Sequence, residues 1–126
     1  MVKAETSNNI KAAIESFQSG QMLIVVDDED RENEGDFIIA ADKASPEDIN
    51  FMMKEGRGLI CMAITSEYSQ RLKLSPMVPE NTAIQQTNFT VSVDAANNTS
   101  TGISAQDRWE TVQVILNEHS KPDDLA

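Results

Sequence analysis

Twenty-one acidic side chains against ten basic ones give this 126-residue chain a formal charge of −11. That balance excludes nonspecific nucleic-acid binding, which needs a basic footprint, and adhesion to an anionic membrane surface. The length reads as one domain, residues 1–126, with enough chain to bury a core. Hydrophobic content of 40% with 25% charged residues is the balance of a soluble globular protein. No apolar stretch approaches the length of a membrane span, and the start carries no leader pattern. The single cysteine, Cys61, excludes an internal disulfide and fits a reducing, cytoplasmic compartment.

Taken in chain order, Ser7-Asn8 reads as a helix start. Ile10, Ala13, Ile14 and Phe17 then form an apolar stripe at helical spacing, and Gly20 is the stop. Met22-Leu23-Ile24-Val25-Val26 predicts a short buried strand, and Phe37-Ile38-Ile39-Ala40-Ala41 predicts a second. Ser45-Pro46-Glu47-Asp48 predicts a helix start with a capping Ser, Pro in the first turn and early acids. Ile49, Met52 and Met53 make its inner face, and Gly56 stops it.

The apolar run over 58–65 predicts another buried strand, 66–72 a short helix, and 73–87 a loop broken by Pro76 and Pro79. Phe89-Thr90-Val91-Ser92-Val93 alternates as a half-buried strand does. A polar connection over 95–102 follows. Ser104 then caps a last helix with Asp107 at its third position, in the pattern of a capping box. Trp109, Val112 and Leu116 form the inner stripe of that helix, and Pro122 ends it. Interleaved strands and helices give an α+β class, an α/β-like mixed sheet with helices packed on it.

The chemistry concentrates in Asp27-Asp28-Glu29-Asp30-Arg31-Glu32-Asn33-Glu34-Gly35-Asp36, where seven of ten residues are acidic. So many carboxylates in one loop repel one another. A hard cation such as Mg²⁺ relieves that repulsion and prefers oxygen ligands of this kind. Arg31 adds a guanidinium that can fork onto a carboxylate or a phosphate. A solvated acidic loop is the plain alternative. Against it stand the tightly flanking strands, the internal Arg, and Gly35, which marks unusual torsions or a close approach. The spacing does not fit an EF-hand: with Asp28, Asp30 and Glu32 at positions 1, 3 and 5, Asn33 stands where glycine is required.

This run resembles the DDEDRENEGD signature of the 3,4-dihydroxy-2-butanone 4-phosphate synthase family of riboflavin biosynthesis. The resemblance continues through Gly58-Leu59-Ile60-Cys61, Met77-Val78-Pro79-Glu80-Asn81-Thr82 and Phe89-Thr90-Val91-Ser92-Val93-Asp94. It extends through Ser100-Thr101-Gly102-Ile103-Ser104-Ala105-Gln106-Asp107-Arg108 to Lys121-Pro122-Asp123-Asp124-Leu125. The motifs are long, ordered and correctly spaced from about Ile10 onward. Trp109 and Glu110 depart from the small or β-branched residues and threonine usual in the family, and Ala63 stands where some members have a second cysteine.

What the resemblance implies is a Mg²⁺-dependent lyase, with Mn²⁺ as a possible substitute. It converts D-ribulose 5-phosphate to L-3,4-dihydroxy-2-butanone 4-phosphate and formate, and acts as a homodimer. By position, Glu32 matches the metal ligand. Arg31, Glu32, Asp36, Asp107 and Arg108 match substrate-contacting positions, and Glu34, Cys61 and Thr101 are the candidate catalytic residues. Asp27 and Asp30 are expected to orient Arg31 and the loop backbone. Asp28 and Glu29 are open to a purely solvated role, Cys61 to a core role, and Ser104 and Asp107 to plain capping. The family domain also carries later histidines and a glutamate, among them the second metal ligand, so the chain is expected to match its N-terminal two-thirds, a C-terminally truncated form of the fold. His119 falls where no family histidine is expected and reads as exposed on the last helix. The competing reading is a catalytically incomplete form acting as a metal-binding or protein-interaction module.

Overall fold

Four α-helices, one hairpin, one π-helical turn and one 3-10 turn make up the regular structure of the computed structural model, which describes residues 3–126, with side chains from Asn9 onward. The chain divides into two compact units, Met1–Ile60 and Cys61–Ala126.

The first unit opens with helix α1, Lys3–Gln18. It begins ahead of the expected start at Ser7-Asn8, whose side chains lie outside the described ones. Gly20 ends it in the left-handed region (φ +84°). There the Gly20 and Gln21 amides close back on the Phe17 and Ser16 carbonyls, the paired bonds of a Schellman stop. The expected inner stripe is only half right: Phe17 and Ala13 are half-buried, but Ile10 and Ile14 are exposed.

Strands β1 (Leu23–Val26) and β2 (Gly35–Ile38) pair antiparallel in the register Leu23↔Ile38, Ile24↔Phe37, Val25↔Asp36 and Val26↔Gly35. Two expectations are corrected here. Gly35 and Asp36 belong to β2 rather than to the loop. β1 is not buried, since Ile24 and Val26 are 69% and 70% exposed. An apolar run is buried only where a second layer covers it, and among the described residues β1 pairs with β2 alone.

Helix α2, Pro46–Phe51, forms as expected. The Ser45 hydroxyl accepts from the Asp48 amide (3.2 Å), while the Asp48 carboxylate accepts from the Ser45 amide (2.9 Å), a reciprocal capping box with Pro46 in the first turn. Ile49 is buried, with Met52 and Met53 half-buried beside it. The chain then widens into one π-helical turn, Met52–Gly56. The stop is Arg57 in the left-handed region (φ 59°), not Gly56. Gly56 lies instead where a Cβ would stand 3.2 Å from the Phe37 ring. Phe37 in turn meets Phe51 edge to face, with ring centroids 5.3 Å apart, and so ties the hairpin to α2.

In the second unit, residues 58–65 straddle the boundary and form no ladder among the described residues. Beyond the boundary Met62 and Ile64 are half-buried while Cys61, Ala63 and Thr65 are exposed, the alternation of a strand with one covered face. The expected fully buried strand is therefore corrected; Leu59, just before, is 82% exposed. Helix α3, Ser66–Arg71, is capped by the Thr65 hydroxyl and stopped at Lys73 (φ 54°). The stretch 89–93 is likewise no strand. It contributes a single bridge, Pro76↔Thr90, flanked by hydrogen bonds from Met77 to Phe89 and from Val91 to Ser75. Proline at the bridge lacks the N–H that would extend pairing.

Helix α4, Ala105–Leu116, starts at its Ser104 cap and ends at Asn117, five residues before Pro122, which opens a separate 3-10 turn instead. Its buried residues are Asp107, Thr111 and Ile115 rather than the expected Trp109, Val112 and Leu116, which are half-buried. The reason is polar. The Thr111 hydroxyl donates to the Asp107 carbonyl (3.0 Å) and accepts from the Ala95 amide (2.9 Å), so this stripe carries hydrogen bonds that hydrophobic spacing does not register. Leu72, Leu74 and Ile115 form the core, with Met62, Ile64, Tyr68, Val93 and Leu125 packed around them. The α+β class stands: helices with a small antiparallel sheet.

Candidate functional site

The acidic run is the loop of the β1–β2 hairpin, and one side chain organises it. Asp27, directly after β1, accepts the Glu32 amide on Oδ2 (2.9 Å) and the Glu34 amide on Oδ1 (3.0 Å). Its own amide donates to the Glu34 carbonyl (3.3 Å), and the Arg31 amide donates to the Asp28 carbonyl (2.9 Å). Arg31 Nε lies 3.8 Å from Asp27 Oδ2. Between the two donated amides sits Asn33 at φ 52°, a conformation asparagine tolerates better than most residues. The expected unusual torsion thus falls on Asn33, while Gly35 answers to the close approach: a Cβ there would lie 3.2 Å from Val26 Cγ1.

The electrostatics follow from that geometry. The Glu32 and Glu34 amides aimed at its oxygens hold the Asp27 carboxyl below the usual aspartate value; they outweigh the opposing effect of burial, and Arg31 adds a smaller lowering. Asp27 is half-buried, whereas Asp28, Glu29, Asp30, Arg31, Glu32, Glu34 and Asp36 are all exposed. The loop therefore spends one aspartate on its own backbone and presents the remaining charges to solvent. Asp27 was expected to orient this loop and does; the structure gives Asp30 no such contact.

The second candidate segment is ordered by the same device. Asp107, only 5% exposed, accepts from the Ser100 hydroxyl (2.9 Å), the Ser100 amide (3.3 Å) and the Gly102 amide (3.1 Å). Its own amide donates to the Ser104 hydroxyl (3.0 Å). The expected capping box is thus only half formed: the Asp107 carboxylate turns to the preceding loop instead of to the Ser104 amide. Gly102 is required where it stands, at φ +75°, and a Cβ there would run into the Asp94 carboxylate. Thr101 is left exposed on this loop, and Arg108 Nε donates to the Ile103 carbonyl (3.0 Å).

Burial works against the charge on Asp107, but the hydrogen bonds from Ser100, Gly102 and Ser104 together outweigh it and hold the carboxyl below its ordinary value. A folded-state value lower than the unfolded one means that the unfolded chain takes up the proton first as pH falls. The stability Asp107 contributes is then full above the ordinary aspartate value near 3.8 and is lost as pH falls through the lowered one. Acid unfolding followed by circular dichroism should show that loss, and Asp107→Asn should flatten the pH dependence in this window.

The structure thus gathers Arg31, Glu32 and Glu34 on one loop, with Asp36 second in β2 beyond it, and Thr101, Asp107 and Arg108 around another. Cys61 is exposed on the segment before α3, not a core residue. His119 is exposed as expected, but in the turn after α4 rather than on it. Among the described residues no three carboxylate, histidine or cysteine side chains converge as a protein-only metal cage. A Mg²⁺ ion does not need one: it commonly keeps several waters and takes one or two carboxylates plus ligand oxygens. The exposed Glu32 carboxylate on a pinned backbone fits that mode. Ser100 opens the motif that carries the family resemblance but has no expected role of its own there; the structure makes it a support of this loop through its two bonds to Asp107.

A profile of the 3,4-dihydroxy-2-butanone 4-phosphate synthase family matches residues 11–126. The riboflavin biosynthesis protein RibBA of Porphyromonas gingivalis is 50% identical over 120 residues, covering 94% of this chain and 30% of that protein. The 3,4-dihydroxy-2-butanone 4-phosphate synthase of Histophilus somni is 48% identical over 121 residues, covering 96% and 57%. Among solved structures, RibBX of A. baumannii, a two-domain 3,4-dihydroxy-2-butanone 4-phosphate synthase, superposes with a TM-score of 0.83 at 45% identity, covering 93% of this chain and 34% of that one. A 3,4-dihydroxy-2-butanone 4-phosphate synthase in complex with two magnesium ions superposes with a TM-score of 0.88 at 39% identity, covering 93% and 55%. The chain thus spans between 30% and 57% of the length of these relatives. With the family profile running from the first helix to the last residue and the hairpin loop, the α4 loop and the fold all in agreement, this chain belongs to the 3,4-dihydroxy-2-butanone 4-phosphate synthase family.

Proposed function

We propose that this chain acts in the Mg²⁺-dependent conversion of D-ribulose 5-phosphate to L-3,4-dihydroxy-2-butanone 4-phosphate and formate, within riboflavin biosynthesis. The observation that carries the reading is the hairpin loop, where Arg31, Glu32 and Glu34 are exposed on a backbone pinned by Asp27. Glu32 holds the divalent ion and contacts substrate. When bound, Mg²⁺ polarises neighbouring substrate oxygens and offsets charge that develops on them; Mn²⁺ serves as a substitute.

Arg31 offers a forked set of donors to an anionic or carbonyl oxygen of the sugar phosphate. Glu34 moves a proton at the carbon beside the substrate carbonyl; its exposed carboxylate on a loop held by its own amide supports that role. Asp36 holds a substrate hydroxyl. Cys61 and Thr101 act at the reacting carbons, and Arg108 contacts substrate. Asp107 acts in substrate binding through the loop it shapes. The chain works as a homodimer in the cytoplasm, with neither nucleic acid nor membrane as a partner; its charge of −11 supports the former, and no described helix is long and apolar enough to cross a membrane.

Proton NMR of the full chain with D-ribulose 5-phosphate tests the proposal. Formate should appear with Mg²⁺ or Mn²⁺ and disappear with EDTA. Absence of formate while the divalent ion still binds would mean that this chain does not carry the complete reaction.

A further inference from the structure

We infer that Asp27 is a positioning residue for the candidate metal and substrate side chains, fixing Glu32 and Arg31 in place before any ligand arrives. The inference rests on the proposed function for the identity of the ligand, but its geometry is independent of it. Asp27 directly follows Val26, the last paired residue of β1, and its N–H is tied to the Glu34 carbonyl across the loop base. From that anchored point its two oxygens each take one amide, Glu32 on Oδ2 and Glu34 on Oδ1. Those amides belong to the Arg31–Glu32 and Asn33–Glu34 peptide units, so one carboxylate orients the chain entering Glu32 and the chain leaving the left-handed Asn33.

Two amides on two oxygens need a carboxylate. Asparagine has a single carbonyl oxygen and would turn its own NH₂ toward one of the N–H groups. Without Asp27, the Glu32 and Glu34 amides lose their acceptors, and repulsion among the exposed carboxylates of Asp28, Glu29, Asp30, Glu32 and Glu34 favours a more open loop. The ligand would then have to order the loop on binding, and its apparent affinity would fall accordingly.

Asp28 supplies the control. Asp27→Asn and Asp28→Asn remove the same charge from the same loop, so the long-range field changes alike, and only the first removes an amide acceptor. In titration calorimetry, Asp27→Asn should bind Mg²⁺ about 10-fold more weakly than the wild-type chain, the range expected for an outer partner of a metal ligand, and Asp28→Asn should stay close to wild type. Glu32→Ala, run beside them, separates the two levels of the argument. Loss of binding in Glu32→Ala with full binding in Asp27→Asn, at a temperature where circular dichroism shows Asp27→Asn folded, would overturn the positioning role and leave the functional reading standing. Unchanged binding in Glu32→Ala, or no binding by the wild-type chain, would overturn both. If Asp27→Asn does not fold, hydrogen exchange of the wild-type chain decides: the Glu32 and Glu34 amides should exchange at least about 10-fold more slowly than those of Glu29 and Asp30, and coil-like exchange at Glu32 and Glu34 would overturn the inference.

Discussion

Glu32→Ala should lower Mg²⁺-dependent formate release by on the order of 100-fold, the scale of losing one group that stabilises developing charge in a reaction, while Glu29→Ala leaves it near the wild-type rate. Both substitutions remove one negative charge from the same exposed loop, so a general loss of attraction for cations lowers both equally. The difference lies in the backbone. Glu32 carries one of the two amides fixed by Asp27, whereas Glu29 makes no hydrogen bond with the described residues and its side chain is exposed. A carboxylate on a fixed peptide unit retains its direction when an ion binds, and the entropy of ordering it has already been met by folding. Titration calorimetry gives the matching result for binding alone: Mg²⁺ affinity should drop in Glu32→Ala and hold in Glu29→Ala. Equal losses would show the loop to be a diffuse anionic patch, with no ligand among its members.

How much of this was legible in the chain depends on how local the cause is. Gly20, the Ser45-Pro46-Glu47-Asp48 start and the Ser104 cap were readable because each acts within one helical turn on its own backbone. The hairpin loop was readable because its acids are bracketed by two apolar runs that pair with each other. The failures are non-local. Residues 58–65 and 89–93 have strand-like patterns, but a ladder needs a partner, and pattern alone does not supply one. β1 is as apolar as a buried strand, yet Ile24 and Val26 are exposed, since burial is decided by the layer opposite and not by the strand itself.

The α4 stripe failed for a different reason. The buried positions Asp107 and Thr111 are polar, and what buries them is a set of hydrogen bonds to Ser100, Gly102 and Ala95. A reading by hydrophobicity shifts the stripe to Trp109 and Val112. At the site the chain points to Asp27 as an orienting residue and to Asp107 as a cap or substrate contact, but not to the amides each carboxylate holds, because those come from loop geometry that spacing does not encode.

Arg71→Ala should destabilise the chain by about 2–3 kcal/mol in urea unfolding, the range for hydrogen bonds to a charged group. The end of α4 explains the size. Asn117 closes that helix with extended backbone and no glycine, so the final carbonyls lack a Schellman closure. Arg71, at the end of α3, supplies the donors instead. Its Nη1 donates to the carbonyls of Asn117 (3.0 Å) and Ser120 (2.8 Å), with Glu118 at 3.4 Å, and its Nη2 donates to that of Ile115 (3.2 Å). The positive charge also meets the negative end of the α4 dipole, and the guanidinium carbon lies 4.9 Å from the Tyr68 ring centroid. Alanine removes all of these and leaves the Ile115 carbonyl without its donor from α3. Arg71→Lys should recover only a fraction, because a single ammonium cannot reach carbonyls on two sides as the planar fork does. Because α4 also carries Asp107, the alanine variant should loosen the Ser100–Gly102 loop as well, read as faster hydrogen exchange at the Gly102 amide; an unchanged unfolding midpoint and unchanged exchange would show that α4 holds its end without Arg71.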